Sequence, residues 1–152
     1  MSKMSREKGK RGEREVVTML KDLLGDGYVF KRNLLDQCHD GGMDILGLPH
    51  WAIEVKNYKE ATPSLIKGWW AQTVDEANKA SRHPVLFWKQ SRRPWVVVVS
   101  GNHLISMGSG WEDDYQYTIS MSPEMFCSFV REEIVVDKSK SDRWQDLLAK
   151  TP

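Results

Sequence analysis

Asp44, Glu54 and Lys56 are the residues whose types and spacing point to a reaction. Two short apolar segments, Asp44-Ile45-Leu46-Gly47-Leu48 and Trp51-Ala52-Ile53-Glu54-Val55-Lys56, flank Pro49-His50 and read as a β-hairpin. Side chains alternate faces along a strand, so Glu54 and Lys56 share one face while Ile53 and Val55 share the other. The turn brings the strand of Asp44 alongside, and one Asp, one Glu and one Lys converge at a sheet edge. A hard divalent cation such as Mg²⁺ takes oxygen ligands and binds through one or two carboxylates plus substrate phosphate. It acidifies water and neutralises charge on phosphate. A lysine beside it orients or deprotonates that water, or stabilises the developing charge. Phosphodiester hydrolysis requires that set. Taken alone, Glu-x-Lys is most often a surface charge pair; the hairpin's Asp and an acid on the first helix lift it above that.

That first helix is expected over about residues 9–25, where Val16, Val17, Met19, Leu20, Leu23 and Leu24 follow helical spacing and Gly25-Asp26-Gly27 ends the run. At about 100° per residue, Glu13 falls close to the apolar stripe and Glu15 points away from it. Glu13 is therefore the inward acid, and Glu15 is read as solvent-exposed. Tyr28 to Arg32 reads as a strand. Thr62-Pro63 supplies a cap and an N-terminal proline for a helix to about Ala80. Pro84 to Lys89 and Trp95 to Val99 are strands, the second buried on both faces. Further on, Tyr115 to Met121 reads as a strand, Ser122-Pro123 as a helix start and Ser141 to Lys150 as a tail helix. The order α-β-β-β-α-β-β plus a C-terminal extension implies an α/β fold, a small mixed sheet flanked by helices.

The chain of 152 residues has the length of one domain, and its 28% charged and 40% hydrophobic residues mark it as globular. No apolar run reaches the length of a membrane span and no apolar leader stands at the N-terminus, so a cytoplasmic protein is expected. Two cysteines exclude a disulfide framework and a four-cysteine zinc site. The net charge of +1 hides an uneven distribution. Residues 1–14 carry six bases against two acids, residues 79–93 five bases and no acid, and residues 111–137 seven acids against one base. Basic blocks of this kind suit a polyanion, although any one of them could be ordinary solvated surface.

Lys8-Gly9-Lys10-Arg11-Gly12-Glu13-Arg14-Glu15, Gly42-Met43-Asp44-Ile45 and Ile53-Glu54-Val55-Lys56 together resemble the PD-(D/E)XK nuclease superfamily, and within it the archaeal-type Holliday junction resolvases. Pro84-Val85-Leu86, Lys89 and Trp95 resemble their last two core strands, so the likeness covers about residues 6–100. Met43 stands where the motif has proline. The resemblance implies a restriction-endonuclease-like core over residues 1–100 with a basic N-terminal arm; residues 101–152, which it does not cover, are expected as an extension packed on the same domain that could serve substrate binding or dimerisation. It implies Glu13, Asp44, Glu54 and Lys56 as catalytic residues. Mg²⁺, for which Mn²⁺ substitutes, would be held by Asp44, Glu54, the Val55 carbonyl and Glu13. Gln72 resembles a glutamine that some members place near the site.

The expected function is a metal-dependent endonuclease acting on DNA, with four-way junctions as substrate, in recombination or repair. A homodimer is expected, because resolving a junction takes two symmetric cuts; no membrane and no small-molecule cofactor are expected. The alternatives are a restriction-like, nicking or repair nuclease with the same site, and a nuclease-fold protein that binds without cutting. Lys8, Lys10, Arg11, Arg14, Lys31, Arg32, Gln72, Lys89, Arg92 and Arg93 are the candidate DNA contacts, with Lys3, Arg6, Lys79 and Arg82 in the same basic blocks. Among seven tryptophans, Trp69 and Trp95 read as core or dimer face, whereas Trp70, Trp88 and Trp111 are open to stacking on unpaired bases. Asp36, Cys38, His39 and Asp40 lack zinc-ligand spacing and read as a substrate-gating loop hinged at Gly41-Gly42.

Overall fold

The computed structural model describes residues 2–34, 42–104 and 114–132. Helix α1, Lys3–Leu24, begins six residues earlier than apolar spacing predicts. Ser2 caps it by accepting from the Ser5 amide, and nothing in residues 3–8 is proline or β-branched. The basic arm is thus the first two turns of a helix. Gly25, at φ 78, ends it.

Strand β1, Lys31–Arg32, is shorter than expected, and Tyr28 and Phe30 stack on each other just before it. Strands β2, Ile45–Leu46, and β3, Trp51–Tyr58, form the hairpin, with Ile45 opposite Ile53. Helix α2, Pro63–Lys79, starts where Thr62 accepts from the Leu65 amide. It carries the chain across to β4, His83–Gln90, which runs parallel to β3. Strand β5, Val96–Ser100, returns antiparallel and leads into the short helix α3, Gly101–Leu104. After a single 3₁₀ turn at Tyr115–Tyr117 come β6, Thr118–Met121, and α4, Pro123–Arg131, capped by Ser122. The expected tail helix at 141–150 lies outside the described residues.

The result is one mixed sheet in the order β1-β2-β3-β4-β5-β6, flanked by helices. Alternation along the central strands divides the core in two. Ile53, Val55, Val85, Phe87, Val97 and Val99 pack in one cluster with Val16 and Leu20 of α1 and Phe126 of α4. Leu86 and Val98 face the other way, onto Ile66, Trp69 and Trp70 of α2. Arg131 donates to the carbonyl of Leu23 and ties α4 to the end of α1. Arg82 donates to the carbonyls of Leu48 and Trp51 and braces the hairpin. Among the described residues no helix is long and apolar enough to cross a membrane.

Helix α1 lies close on the sheet at one point. A Cβ added to buried Gly12 would stand 2.7 Å from the Asn57 Cβ and 3.3 Å from the Trp95 ring. Asn57 also donates to the Lys8 carbonyl at 3.0 Å, so this contact sets the height of the helix above β3. Gly12→Ala should therefore lower stability by about 1–3 kcal/mol. Gly9→Ala, where a Cβ meets nothing within 4 Å, should raise it by about 0.5–1 kcal/mol. Thermal unfolding of the two variants reads the contrast; equal melting temperatures would contradict the close approach.

Candidate active site

The hairpin positions Asp44 before building the rest of the site. The Asp44 amide donates to the Ile53 carbonyl at 2.7 Å, and its carbonyl accepts from Asn33 at 2.8 Å. Its side chain is then fixed from β3, where the Val55 amide donates to Oδ2 at 2.8 Å. Glu54 is buried at 2% exposure, on the face of β3 that looks toward α2. Lys56 follows on the same face, half-buried. Asp44 and Glu54 line the same cavity, close enough for each carboxyl to bear on the other's ionisation.

Electrostatics agree with that arrangement. Burial pushes the Asp44 carboxyl up to about 6, against the pull of the Val55 amide. Burial and then the neighbouring Asp44 push Glu54 up to about 9. The Lys56 charge opposes both shifts. Groups that hold protons more tightly when folded stabilise the fold fully below their unfolded values, near pH 4. That contribution is lost as pH rises through about 6 and then about 9. In EDTA, the melting temperature of the wild type should therefore fall between pH 5 and pH 9 relative to that of Glu54→Gln, which cannot ionise at that position. Parallel curves for the two proteins would contradict the upward shift at Glu54.

Glu13, Asp44, Glu54, Lys56 and Gln72 all line one cavity of 660 Å³, as does Val55, with Arg6, Lys8 and Lys10 at its rim. Glu13 stands near enough to raise Asp44 further, but it does not join the carboxylate pair: Arg32 holds it at 2.7 Å. Among the described residues no three acids, histidines or cysteines are grouped to hold an ion. The donor set is accordingly one half-buried and one buried carboxyl on a single cavity. It fits a hard cation that takes one or two carboxylates and leaves its other positions to water and phosphate.

Several expected DNA contacts are engaged elsewhere. Arg32, on the edge strand, turns inward to Glu13, while Lys31 beside it stays exposed. Lys89 does not lie free on the surface; its Nζ is 3.6 Å from Glu15 and 5.9 Å above the Trp95 ring. Glu15 is correspondingly half-buried, accepting from Trp95 Nε1 at 3.1 Å, and is not the solvated residue that helical phase suggests. Lys79 pairs with Asp75 and Glu76, and Arg82 serves the hairpin. Lys8 reaches Ser91 in the β4–β5 turn. Arg11 and Arg14 are exposed along a second groove, between α1 and Trp95. Arg92 and Arg93 are exposed in the β4–β5 turn.

Trp70 cannot stack on a base: it is 1% exposed, packed in the α2 core beside Trp69. Helical spacing predicts one inward tryptophan of this pair, but α2 is covered broadly enough to bury both. Trp88 is half-buried against Trp69. Trp111, the Asp36–Asp40 loop and Gly41 lie outside the described residues. Two contributors escaped the sequence reading. Glu76 of α2 is buried and adds negative potential at Glu54, and Tyr58 lines the cavity beyond Lys56. Strand alternation from Lys56 points to Tyr58; no local pattern marks Glu76.

Three similarities to known proteins accompany this geometry. A family model described as "Phage putative PDDEXK endonuclease" matches residues 4–124. Protein D14 of Escherichia phage T5 is 29% identical over 115 residues, spanning 64% of this chain and 72% of that protein. The Holliday junction resolvase Hjc of Archaeoglobus fulgidus superposes with a TM-score of 0.41 at 24% identity, covering 59% of this chain and 70% of its own.

Proposed function

Because the chain belongs to the phage PDDEXK endonuclease family, we propose that it is a metal-dependent endonuclease that hydrolyses DNA phosphodiesters at the cavity of Asp44, Glu54 and Lys56. The observation that carries this reading is that Asp44, fixed by the Val55 amide, and buried Glu54 face one cavity that also holds Lys56. Asp44 and Glu54 would hold Mg²⁺ or Mn²⁺, with the Val55 carbonyl and Glu13, directly or through water, completing its surroundings. Bound there, the cation supplies charge neutralisation at the scissile phosphate and acidifies water.

The remaining work falls to the chain itself. The Val55 amide fixes the Asp44 carboxylate, so its orientation is set before substrate arrives. Lys56, on the same face as Glu54, offers its ammonium to the attacking water or to a phosphate oxygen. Arg32 pairs with Glu13 at 2.7 Å and fixes its carboxylate at the cavity. Gln72 offers an amide from α2. Lys8 and Lys10 at the rim, Arg11 and Arg14 across α1, and Arg92 and Arg93 in the turn would meet the phosphate backbone, which makes binding salt-dependent and independent of sequence.

The motif series at residues 8–15, 42–45 and 53–56 supports branched DNA as the substrate, with a homodimer making paired cuts. The test compares cleavage of a labelled four-way junction with a flap, a single strand and a continuous duplex in Mg²⁺. Preferential, symmetric cutting of the junction is expected. Equal cutting of junction and duplex would overturn the resolvase part and leave a restriction-like, nicking or repair nuclease. Binding without any cutting would overturn the nuclease reading itself.

A further inference from the structure

Resting on that nuclease reading, we propose that Tyr58 is a specificity-determining residue that stacks against an unpaired base of bound DNA, a few nucleotides from the phosphodiester that is cut. Tyr58 closes β3, on the face that carries Glu54 and Lys56, and it lines the same cavity. At about 3.3 Å per residue it stands ~13 Å along the strand from Glu54. That is about the length of four stacked nucleotides at 3.4 Å each.

Its ring is held from behind. Tyr58 packs on Trp69 with centroids 4.7 Å apart and planes tilted by 32°, and Trp69 packs in turn on Trp88 at 6.4 Å. Trp69 is 6% exposed, whereas Tyr58 is 37% exposed. Tyr58 is thus the exposed end of a run of three rings, with Trp69 covered and Trp88 half-buried behind it. Its backbone is anchored as well, because the Tyr58 carbonyl accepts from the Ser91 amide at 2.9 Å. A scattered surface aromatic needs no explanation. This one packs on Trp69, is more than a third exposed and lines the cavity of the acidic pair. A π-face offered to the substrate side is chemically matched to a nucleobase, and because the ring is already ordered little entropy is lost on stacking. A base paired and stacked within a continuous duplex has no free face to offer, whereas one at a fork, flap or junction does. The residue therefore selects for interrupted DNA.

The test uses the full chain and a splayed-fork DNA carrying 2-aminopurine in turn at each unpaired position, with binding followed in EDTA and cutting in Mg²⁺. Wild type should quench the fluorophore at one or two positions. Tyr58→Phe, which keeps the ring, should match it. Tyr58→Leu, which still covers Trp69, and Tyr58→Ala should lose the quenching and weaken fork affinity by about 5- to 150-fold. The loss should be larger on the fork than on duplex. Circular dichroism confirms that the Leu variant is folded. Wild-type affinity and quenching in the Leu and Ala variants would overturn the proposal. So would a Phe variant as weak as the Ala one, since the hydroxyl and not the ring would then be the contact. Quenching without cutting would sink the nuclease reading alone, and cutting without quenching would sink the Tyr58 proposal alone.

Discussion

Replacing Asp44 or Glu54 with alanine should lower Mg²⁺-dependent DNA cleavage on the order of 10³-fold or more, while affinity for DNA in EDTA stays close to wild type. Both parts follow from the position of the pair. Both carboxyl groups face the cavity, so removing either would strip a hard cation there of one of its two main ligands. The basic side chains that would meet phosphate come from α1, some of them at the cavity rim, and from the β4–β5 turn, and neither substitution removes any of them. Alanine also removes a hydrogen bond, so Asp44→Asn and Glu54→Gln serve as near-isosteric companions. Single-turnover cleavage and gel retardation on the same preparations separate the two parts. A variant that cut at the wild-type rate would show that the metal lies elsewhere. One that lost both cutting and binding would show that the acids hold the fold and not the reaction.

Lys56→Ala is the second large effect. A positioned proton donor, acceptor or charge at the reacting group contributes about 10²–10⁴-fold, so kcat should fall by that factor with little change in KM. Lys56 lines the cavity with Asp44 and Glu54, two residues beyond Glu54 on β3. If that charge is what matters, Lys56→Arg should retain more activity than Lys56→Ala. If Lys56 instead removes a proton from water, the arginine variant should be as slow as alanine, because guanidinium does not deprotonate. Wild-type kcat in Lys56→Ala would remove the residue from the mechanism.

What the sequence made legible was local. Asp44, Glu54 and Lys56 could be grouped because a hairpin turn and a period of two are short-range facts, and Glu13 could be added because helical phase places it on the Val16–Leu20 stripe. The same kind of signal located the caps at Thr62 and Ser122 and a strand buried on both faces at Val97–Val99. What escaped was set by long-range register. Arg32 turns inward because β1 pairs with β2 in a register that puts Arg32 opposite Ile45, which no window around Arg32 reveals. Glu15 is drawn to Lys89 and Trp95 by the way the β4–β5 turn folds back over α1. Trp70 is buried because α2 is covered on more than one stripe. The acidic stretch at 111–137 is only partly accounted for: Asp114 accepts from the Gln116 amide at the 3₁₀ turn and Glu124 sits in the first turn of α4, both local roles.

The central claim is that this cavity cuts DNA with the help of a divalent cation held by Asp44 and Glu54. The most direct measurement is the cleavage rate of a labelled four-way junction by the wild-type chain in Mg²⁺ and in EDTA, beside Asp44→Asn in Mg²⁺. Cutting by the wild type in Mg²⁺, with none in EDTA and none by the variant, is the predicted result. Cutting that survives in EDTA, or in Asp44→Asn at the wild-type rate, would contradict it.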